Sequence, residues 1–296
     1  MNAEPSWDLY RTFDAVLREG SLSGAARALG LTQPSVARHV DALEAAIGRR
    51  LFLRTQRGLS PTEAAIELKP YAEMMASASA AFLRTSQAAA GEVGGTVRIS
   101  ASEVVGTVHL PAILTKLRRA HPSLALELVL SNALDDLLQR KADVAVRMVR
   151  PEQQALVARR VGIIPVGLFA RRDYLALRGM PTTIEELPSH DVIGDDVETR
   201  SIRAIAQHYP MLTRDSFALR VGNDVAQLFA IHAGFGIGFC QVPIGGGDPD
   251  LVRVLEGDFQ IDLETWVVMH EDLKGSARCR VVFDALVEGI SAIAES

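Results

Sequence analysis

Between Ser21 and Pro61 the chain reads SLSGAARALGLTQPSVARHVDALEAAIGRRLFLRTQRGLSP. In Ser21–Leu29, Leu22, Ala26 and Leu29 recur at helical spacing, and Gly30 stands where a left-handed cap is needed. Thr32 can cap the next helix, and Pro34 fits its first turn, which has no internal N–H bond to lose. In that second helix Val36, Val40, Leu43 and Ile47 form one apolar stripe, which leaves Gln33, Ser35, Arg38 and His39 facing outward. Leu51–Arg54 and Leu59–Ser60 read as two short wing strands around the turn Thr55–Gly58. A helix, a tight turn and a second helix with a polar, long-armed face fit a DNA major groove.

The fixed spacings reach beyond this stretch. Phe13, Val16, Gly20-Ser21, Ala25-Ala26, Leu29, Thr32-Gln33-Pro34-Ser35-Val36, Val40, Leu43-Glu44, Ile47-Gly48, Leu51-Phe52 and Arg54 all fall in register. On these residues the segment Phe13–Ala65 resembles the winged helix-turn-helix of the LysR-type transcriptional regulators. Two positions depart from that pattern. Ala37 stands where Ser or Thr is usual, and the segment ends Pro61-Thr62-Glu63-Ala64-Ala65 instead of Leu-Thr-Glu-Ala-Gly. The residues expected at the DNA are Ser23, Thr32, Gln33, Pro34, Ser35, Arg38 and His39, with Arg54 and Arg57 on the wing. The resemblance implies an α/β chain in three parts. These are a head over residues 1–61, a linker and dimerisation helix over 62–90, and a two-lobed effector domain over 91–296, built like a periplasmic solute-binding protein. Lobe I would take about 91–163 and 268–296, and lobe II about 164–267.

Composition agrees with a globular protein. Nearly half of the 296 residues are apolar and 23% are charged, enough chain for two domains and a sizeable core. The segment Met1–Asp8 has no basic stretch and no apolar run, so no signal peptide is expected. The longest apolar run, Val161–Ala170, is half of what a membrane crossing requires. Two cysteines, Cys240 and Cys279, make no disulfide framework, and a cytoplasmic protein is expected. The net charge of −5 looks wrong for a DNA binder until it is divided along the chain. Residues 18–58 hold seven arginines against Glu19, Asp41 and Glu44, a net +4, so the remainder is acidic. A basic head on an acidic body meets phosphates through the head and resists loose coating of nucleic acid.

From Thr62 to about Ala89 the chain is helical in pattern and rich in Ala and Met, with Pro70 expected to kink it. Ala65, Leu68, Ala72, Met75, Ser79 and Phe82 alternate steps of three and four, a seam that calls for a partner helix. Leu68, Met75 and Phe82 are the expected dimerisation residues, in a homodimer or homotetramer; the alternative is packing on the helix's own domain. Gly91–Gly95 reads as a joint. Beyond it strands at Val97–Ser100, Leu124–Leu130, Val144–Met148, Val192–Gly194, Phe217–Val221, Ile237–Cys240 and Leu263–His270 alternate with helices, and Val157–Gly162 leads into Val166–Ala170, where the chain is expected to cross into the second lobe. Those helices are Thr107–Ala120, Leu134–Arg140, Tyr174–Leu177, Ile202–Gln207, Val225–Ala233 and Arg278–Ala292. The alternation predicts a parallel sheet with both faces covered, split into two lobes.

No catalytic constellation is visible, so no enzyme is expected, and neither a metal nor a cofactor. The seven histidines include no pair at zinc-ligand spacing. Gly234–Gly238 follows a helix and precedes a strand, the reverse of a dinucleotide fingerprint, and reads as a turn using glycines for positive φ. Leu22 occupies the nucleophile position of Gly20–Gly24, which rules out a G-x-S-x-G elbow. The resemblance allows Cys240 to be a redox sensor, as thiols are in peroxide-sensing members of the family, whereas its neighbours Phe239 and Val242 point to a buried, inert thiol. What remains is binding. Ligands of such domains sit beyond the carboxyl ends of the strands. The candidates there are Ser100, Ser102, Glu103, Ser131, Asn132 and Arg147 in lobe I, and Thr199, Ser201 and Asn223 in lobe II. Unpaired N–H groups at helix starts favour an anionic effector, whereas Glu103, Asp195, Asp196 and Glu198 would select a cation. The expected partners are double-stranded DNA with an interrupted palindromic operator, a small-molecule effector, a second copy of the chain and RNA polymerase. A solute-binding or enzymatic module that the head merely localises is the competing reading.

Overall fold

The computed structural model describes residues 4–55, 58–86, 93–132, 141–151, 156–197 and 200–295. The chain forms two compact units, one built on Met1–Ala88 and the other on Ala89–Leu137 and Ala142–Ser296.

In the first unit, α1 (Trp7–Glu19), α2 (Leu22–Leu29) and α3 (Gln33–Ile47) end on Gly20, Gly30 and Gly48, all left-handed with φ between 64° and 70°. The Ser21 and Thr32 hydroxyls accept the N–H groups of Gly24 and Ser35, so the two helix starts around the turn are capped by side chains. β1 (Phe52–Thr55) and β2 (Gly58–Pro61) form the antiparallel wing, and Leu59 donates its N–H to the carbonyl of Gly20. Phe13, Val16, Ala25, Val36, Val40, Leu43, Leu51 and Phe52 make the core of this unit. α4 (Glu63–Ser86) is one helix that runs through Pro70. The Ile66 carbonyl, deprived of its donor by that proline, belongs to an exposed residue, so water can serve it.

The second unit carries, among the described residues, β3 (Gly95–Ala101), β4 (Leu124–Leu130), β5 (Val144–Arg147), β6 (Leu156–Arg171), β7 (Val192–Asp195), β8 (Leu219–Val221), β9 (Ile237–Gln241), β10 (Leu251–Val254) and β11 (Ile261–His270). They lie in the order β4-β3-β5-β11-β6-β9-β7-β8, with β10 on β6. The sheet is mixed and not, as alternation predicted, parallel throughout. β3 pairs in parallel with β4 and β5, and β7 with β8 and β9, whereas β11 and β6 run antiparallel to their neighbours. Val157–Gly162 and Val166–Ala170, expected to lead from one lobe into the other, are parts of one strand, β6. Its midpoint is eased by Gly162 at φ 148°, opposite a register shift between Thr265 and Trp266. Periodicity also missed β10, which is four residues long.

Two main cores result. One gathers Val97, Ile99, Val144, Val146, Val161, Ile164 and Val267 under α5 (Leu110–Ala120) and α10 (Ala277–Ala294). The other gathers Leu168, Leu187, Val192, Phe217, Ile237 and Phe259. β6 and β11 supply residues to both, so the lobes share two continuous strands. A five-residue π-turn, Val105–His109, leads into α5. In the second lobe lie α6 (Arg172–Arg178), α7 (Arg200–His208), α8 (Asp224–His232) and the short α9 (Val242–Gly246). The glycine turn after α8 divides its work. Gly234 takes φ 77°, whereas Gly236 lets the chain pass against the carbonyl of Asp191, where any Cβ would collide. The helix expected at Leu134–Arg140 lies outside the described residues.

Candidate nucleic-acid interface and effector cleft

The exposed edge of α3 is held by its own side chains. Ser23 donates to Gln33 Oε1 at 3.2 Å, Thr32 and Ser35 share a hydroxyl bond at 2.9 Å, and Arg38 Nη2 reaches Ser35 Oγ at 3.4 Å. Ser23, Thr32, Gln33, Pro34 and Arg38 are exposed and Ser35 is half-buried. Anchored donors at the N-terminal end of a helix are suited to base edges and phosphates, because little side-chain freedom is left to lose on binding. His39 departs from the expectation that it faces outward. It is half-buried, with Nδ1 2.9 Å from the hydroxyl of Thr12 on α1. That hydroxyl already donates to the Asp8 carbonyl at 2.7 Å, so His39 Nδ1–H donates to it. The ring therefore ties α3 to α1. Arg54 lies in β1, with its side chain outside the described atoms, and Arg57 lies outside the described residues.

Sequence reasoning took Glu44 only as a fixed position, and the structure gives it a function. It is buried to 7% on α3. Its Oε1 accepts the N–H groups of Leu51 at 2.7 Å and Phe52 at 3.1 Å, and its Oε2 accepts Arg50 at 2.8 Å. Burial alone would raise its pKa. The Arg50 bond and the two backbone N–H groups outweigh that and hold it below the ordinary glutamate value. One carboxylate thus fixes the start of the wing to α3. A glutamate on the stripe side of an amphipathic helix, in register with Val40 and Leu43, was the signal available in the sequence.

In the second unit the effector candidates separate into two groups. Ser100 and Arg147 do not stand open for a ligand. They are buried to 1% and 5%, and Arg147 Nη2 donates to Ser100 Oγ at 2.8 Å and Nη1 to the Val146 carbonyl. The other group meets where the lobes approach. Glu103 Oε2 accepts the N–H of Asp224, the first residue of α8, at 2.8 Å, and Asn132 Nδ2 donates to Asp224 Oδ2 at 3.3 Å. Asn223, expected at the effector, caps the same helix, its Oδ1 accepting the Ala226 N–H at 2.9 Å. Burial first, then the charges of Asp195 and Glu103, push the Asp224 carboxyl above its usual range, and the bond from Asn132 opposes this. A second crossing joins His109 Nε2 to Gln241 Oε1 at 2.8 Å, while Gln241 Nε2 donates to Met148 Sδ. Burial lowers the His109 pKa, and that bond partly offsets it. Ser102 is half-buried, with its carbonyl bonded by Gly106 N–H, and Ser131 N–H donates to the Ala101 carbonyl. The side chain of Ser201 and the whole of Thr199 and Glu198 lie outside the described atoms. Cys240 is buried, which pushes its thiol up to about 12, as expected of an inert cysteine. Among the described residues no group of His, Cys, Asp or Glu is placed to hold a metal, and no helix is long and apolar enough to cross a membrane.

Residues 90–291 match the family model described as the LysR substrate binding domain, and residues 7–66 match the bacterial regulatory helix-turn-helix protein, lysR family. The chain belongs to the LysR family of transcriptional regulators. Its relatives include the HTH-type transcriptional regulator PgrR of Escherichia coli K12, 30% identical over 195 residues, 65% of this chain and 64% of that protein. The HTH-type transcriptional regulator CrgA of Neisseria meningitidis serogroup B is 33% identical over 183 residues, 62% of this chain and 61% of its own. The chain therefore spans less than two thirds of the length of the relatives it matches. These relatives are regulators and not enzymes. The solved structure of CrgA, a LysR-type regulator from Neisseria meningitidis, matches with a TM-score of 0.59 at 25% identity, over 96% of this chain and 99% of that one. CbnR, another LysR-family regulator, gives 0.66 at 18% identity over 98% of this chain and 100% of its own, a likeness of fold alone.

Within this LysR-family chain, α4 divides along its length. Ala65 and Ala72, expected in a seam between two chains, are buried in the core of their own head, and Leu68 packs on it. The alternative of own-domain packing therefore holds for the first half of the helix. Further along, Met75 is half-buried, and Met74, Phe82 and Leu83 are exposed, Phe82 to 73%.

Proposed function

We propose that this LysR-family chain is a sequence-specific transcriptional regulator, working in the cytoplasm as a homodimer or homotetramer and controlled by a small molecule bound between the lobes of the second unit. The observation that carries the DNA part is the anchored, exposed edge of α3, with Gln33, Ser35 and Arg38 held on one face. Arg38 and Gln33 read base edges, while Arg57 on the wing contacts phosphates. Two linked heads place two such helices on an interrupted palindrome. The exposed apolar residues Met74, Phe82 and Leu83 of α4, with Met75, supply the contact between chains.

The effector is a small carboxylate. Its support is that the N-terminus of α8 already accepts a carboxylate, that of Glu103. A cationic effector is the second reading, favoured by the crowding of Asp195, Glu103 and Asp224 that raises the Asp224 pKa. Gel-shift titration with the DNA upstream of the chain's own gene, at two salt concentrations, tests the first part; binding without sequence preference would overturn it. A thermal-shift screen of matched carboxylates and amines tests the second, and stabilisation by amines alone would overturn the anionic reading.

A further inference from the structure

Arg278, the second residue of α10, is exposed to only 4%. Side chains in a helix lean back toward the N-terminus, so one in the first turn reaches past the helix start. Arg278 does so beside the beginning of β3, where a Cβ on Gly95 would stand 4.0 Å from its Cδ. Its Nε is sealed from solvent without an acceptor, and among the described residues no hydrogen bond or ion pair reaches any nitrogen of this guanidinium. The arginines around it have partners. Arg280 Nη2 donates to the Lys274 carbonyl at 2.7 Å, Arg118 Nη1 at the end of α5 donates to the Leu124 carbonyl at 3.3 Å, and Arg98 pairs with Glu127 at 2.8 Å. Asp272, in the short turn Glu271–Leu273 ahead of α10, pairs with His270 at 3.3 Å. An arginine cannot shed its proton on burial, and a buried cation without a counter-charge is costly. The helix start aims the same way. Ser276 stands at the N-cap of this 18-residue helix, and its side chain takes no N–H of the first turn.

We propose that Arg278 and the N-terminus of α10 form a binding site for one small tetrahedral oxyanion of the phosphate class. The guanidinium fork supplies donors from one side and the N–H groups of Ala277 and Arg278 from another, so oxygens that point in several directions fit better than the two of a planar carboxylate. The bound anion is the counter-charge that Arg278 lacks within the chain. This site is separate from the effector cleft and does not rest on that reading. Gly95 and Leu124 pair at the amino ends of the parallel strands β3 and β4, whereas Ser102, Glu103, Ser131 and Asn132 follow the carboxyl ends. The seven residues of β3 set the two ends roughly 20 Å apart.

The test titrates the full-length chain with sodium phosphate, with sodium acetate and sodium chloride at matched ionic strength as the other arms. Arginines of the head also attract phosphate, so the readout is local: hydrogen exchange of the amides of Ala277 and Arg278. Wild type should show saturable protection, about tenfold at ten times Kd, with phosphate and little with acetate or chloride. Arg278→Met, which keeps most of the length and removes the charge, should abolish it, and Arg280→Met, at an exposed position, should keep it. In urea without phosphate, Arg278→Met should unfold at the same or a higher midpoint than wild type, because an unpaired buried charge has gone. Phosphate should then raise the midpoint of wild type and leave that of Arg278→Met in place. No local protection in wild type overturns the site, whatever the variants do. Protection that never saturates, or that persists in Arg278→Met, means an adventitious ion only and overturns it too. Equal protection by acetate overturns the tetrahedral class.

Discussion

Replacing Glu44 with Ala should loosen the wing from α3 and cost DNA binding without touching a DNA-facing residue. The N–H groups of Leu51 and Phe52, both buried, lose their shared acceptor, Glu44 Oε1. An orphaned buried donor costs about 1–3 kcal/mol, and water entering the cavity offsets part of that, so about 2–4 kcal/mol is expected for Glu44→Ala. Glu44→Gln keeps a carbonyl oxygen for the two donors and loses only the charge, worth about 1–2 kcal/mol. Arg50 is 77% exposed, so Arg50→Ala should change little. Hydrogen exchange on the full chain reads this directly. At about 1.4 kcal/mol per tenfold, the Leu51 and Phe52 amides should exchange roughly 30- to 1,000-fold faster in Glu44→Ala. The pH dependence has a definite sign. The folded-state pKa of Glu44 lies below the unfolded value of 4.5, so its contribution is full above that value and fades as pH falls through it toward the folded value. Acid destabilisation of the head should therefore be shallower in Glu44→Gln. Unchanged exchange at Leu51 and Phe52 in Glu44→Ala would refute the reasoning.

Arg38→Ala should cost about 1–3 kcal/mol of specific binding, whereas Arg57→Ala should weaken all sequences alike and reduce the salt slope by about one; equal effects on operator and random DNA in titrations of the Arg38 variant would remove it from base readout. Phe82→Lys and Met75→Lys should shift the protein toward monomer and abolish operator binding, because a charge in an apolar contact is desolvated without a partner. Light scattering that finds an intact dimer in both would dismiss the seam. Gly289→Ala improves helix propensity within α10 yet should destabilise by about 1–2 kcal/mol in urea unfolding, since overpacking outweighs the propensity gain. Its Cβ would lie 2.5 Å from Ile113 Cδ1 on α5, and a stabilised variant would show that α5 yields there.

The sequence by itself determined whatever depends on neighbours along the chain. Caps at Ser21 and Thr32, glycines at 20, 30 and 48, and apolar residues at helical spacing made the three helices of the head legible, since each signal acts within one or two turns. The same local logic gave β4 at Leu124–Leu130 to the residue. Only the tertiary structure decided partners far apart in the chain. It made the sheet mixed, because pairing direction is set by where the neighbouring strand lies and not by the pattern within one strand. It turned half of the α4 seam into the core of the head, since a stripe of apolar residues does not say which surface covers it. It paired Ser100 with Arg147 across 47 positions and set Glu103 on α8 across 121. Hydrogen bonds between side chains of such separation leave no period in the sequence. They exist only once the hydrophobic cores have brought the strands and helix ends together, which is why the exposed edge of α3 could be read in advance and the cleft could not.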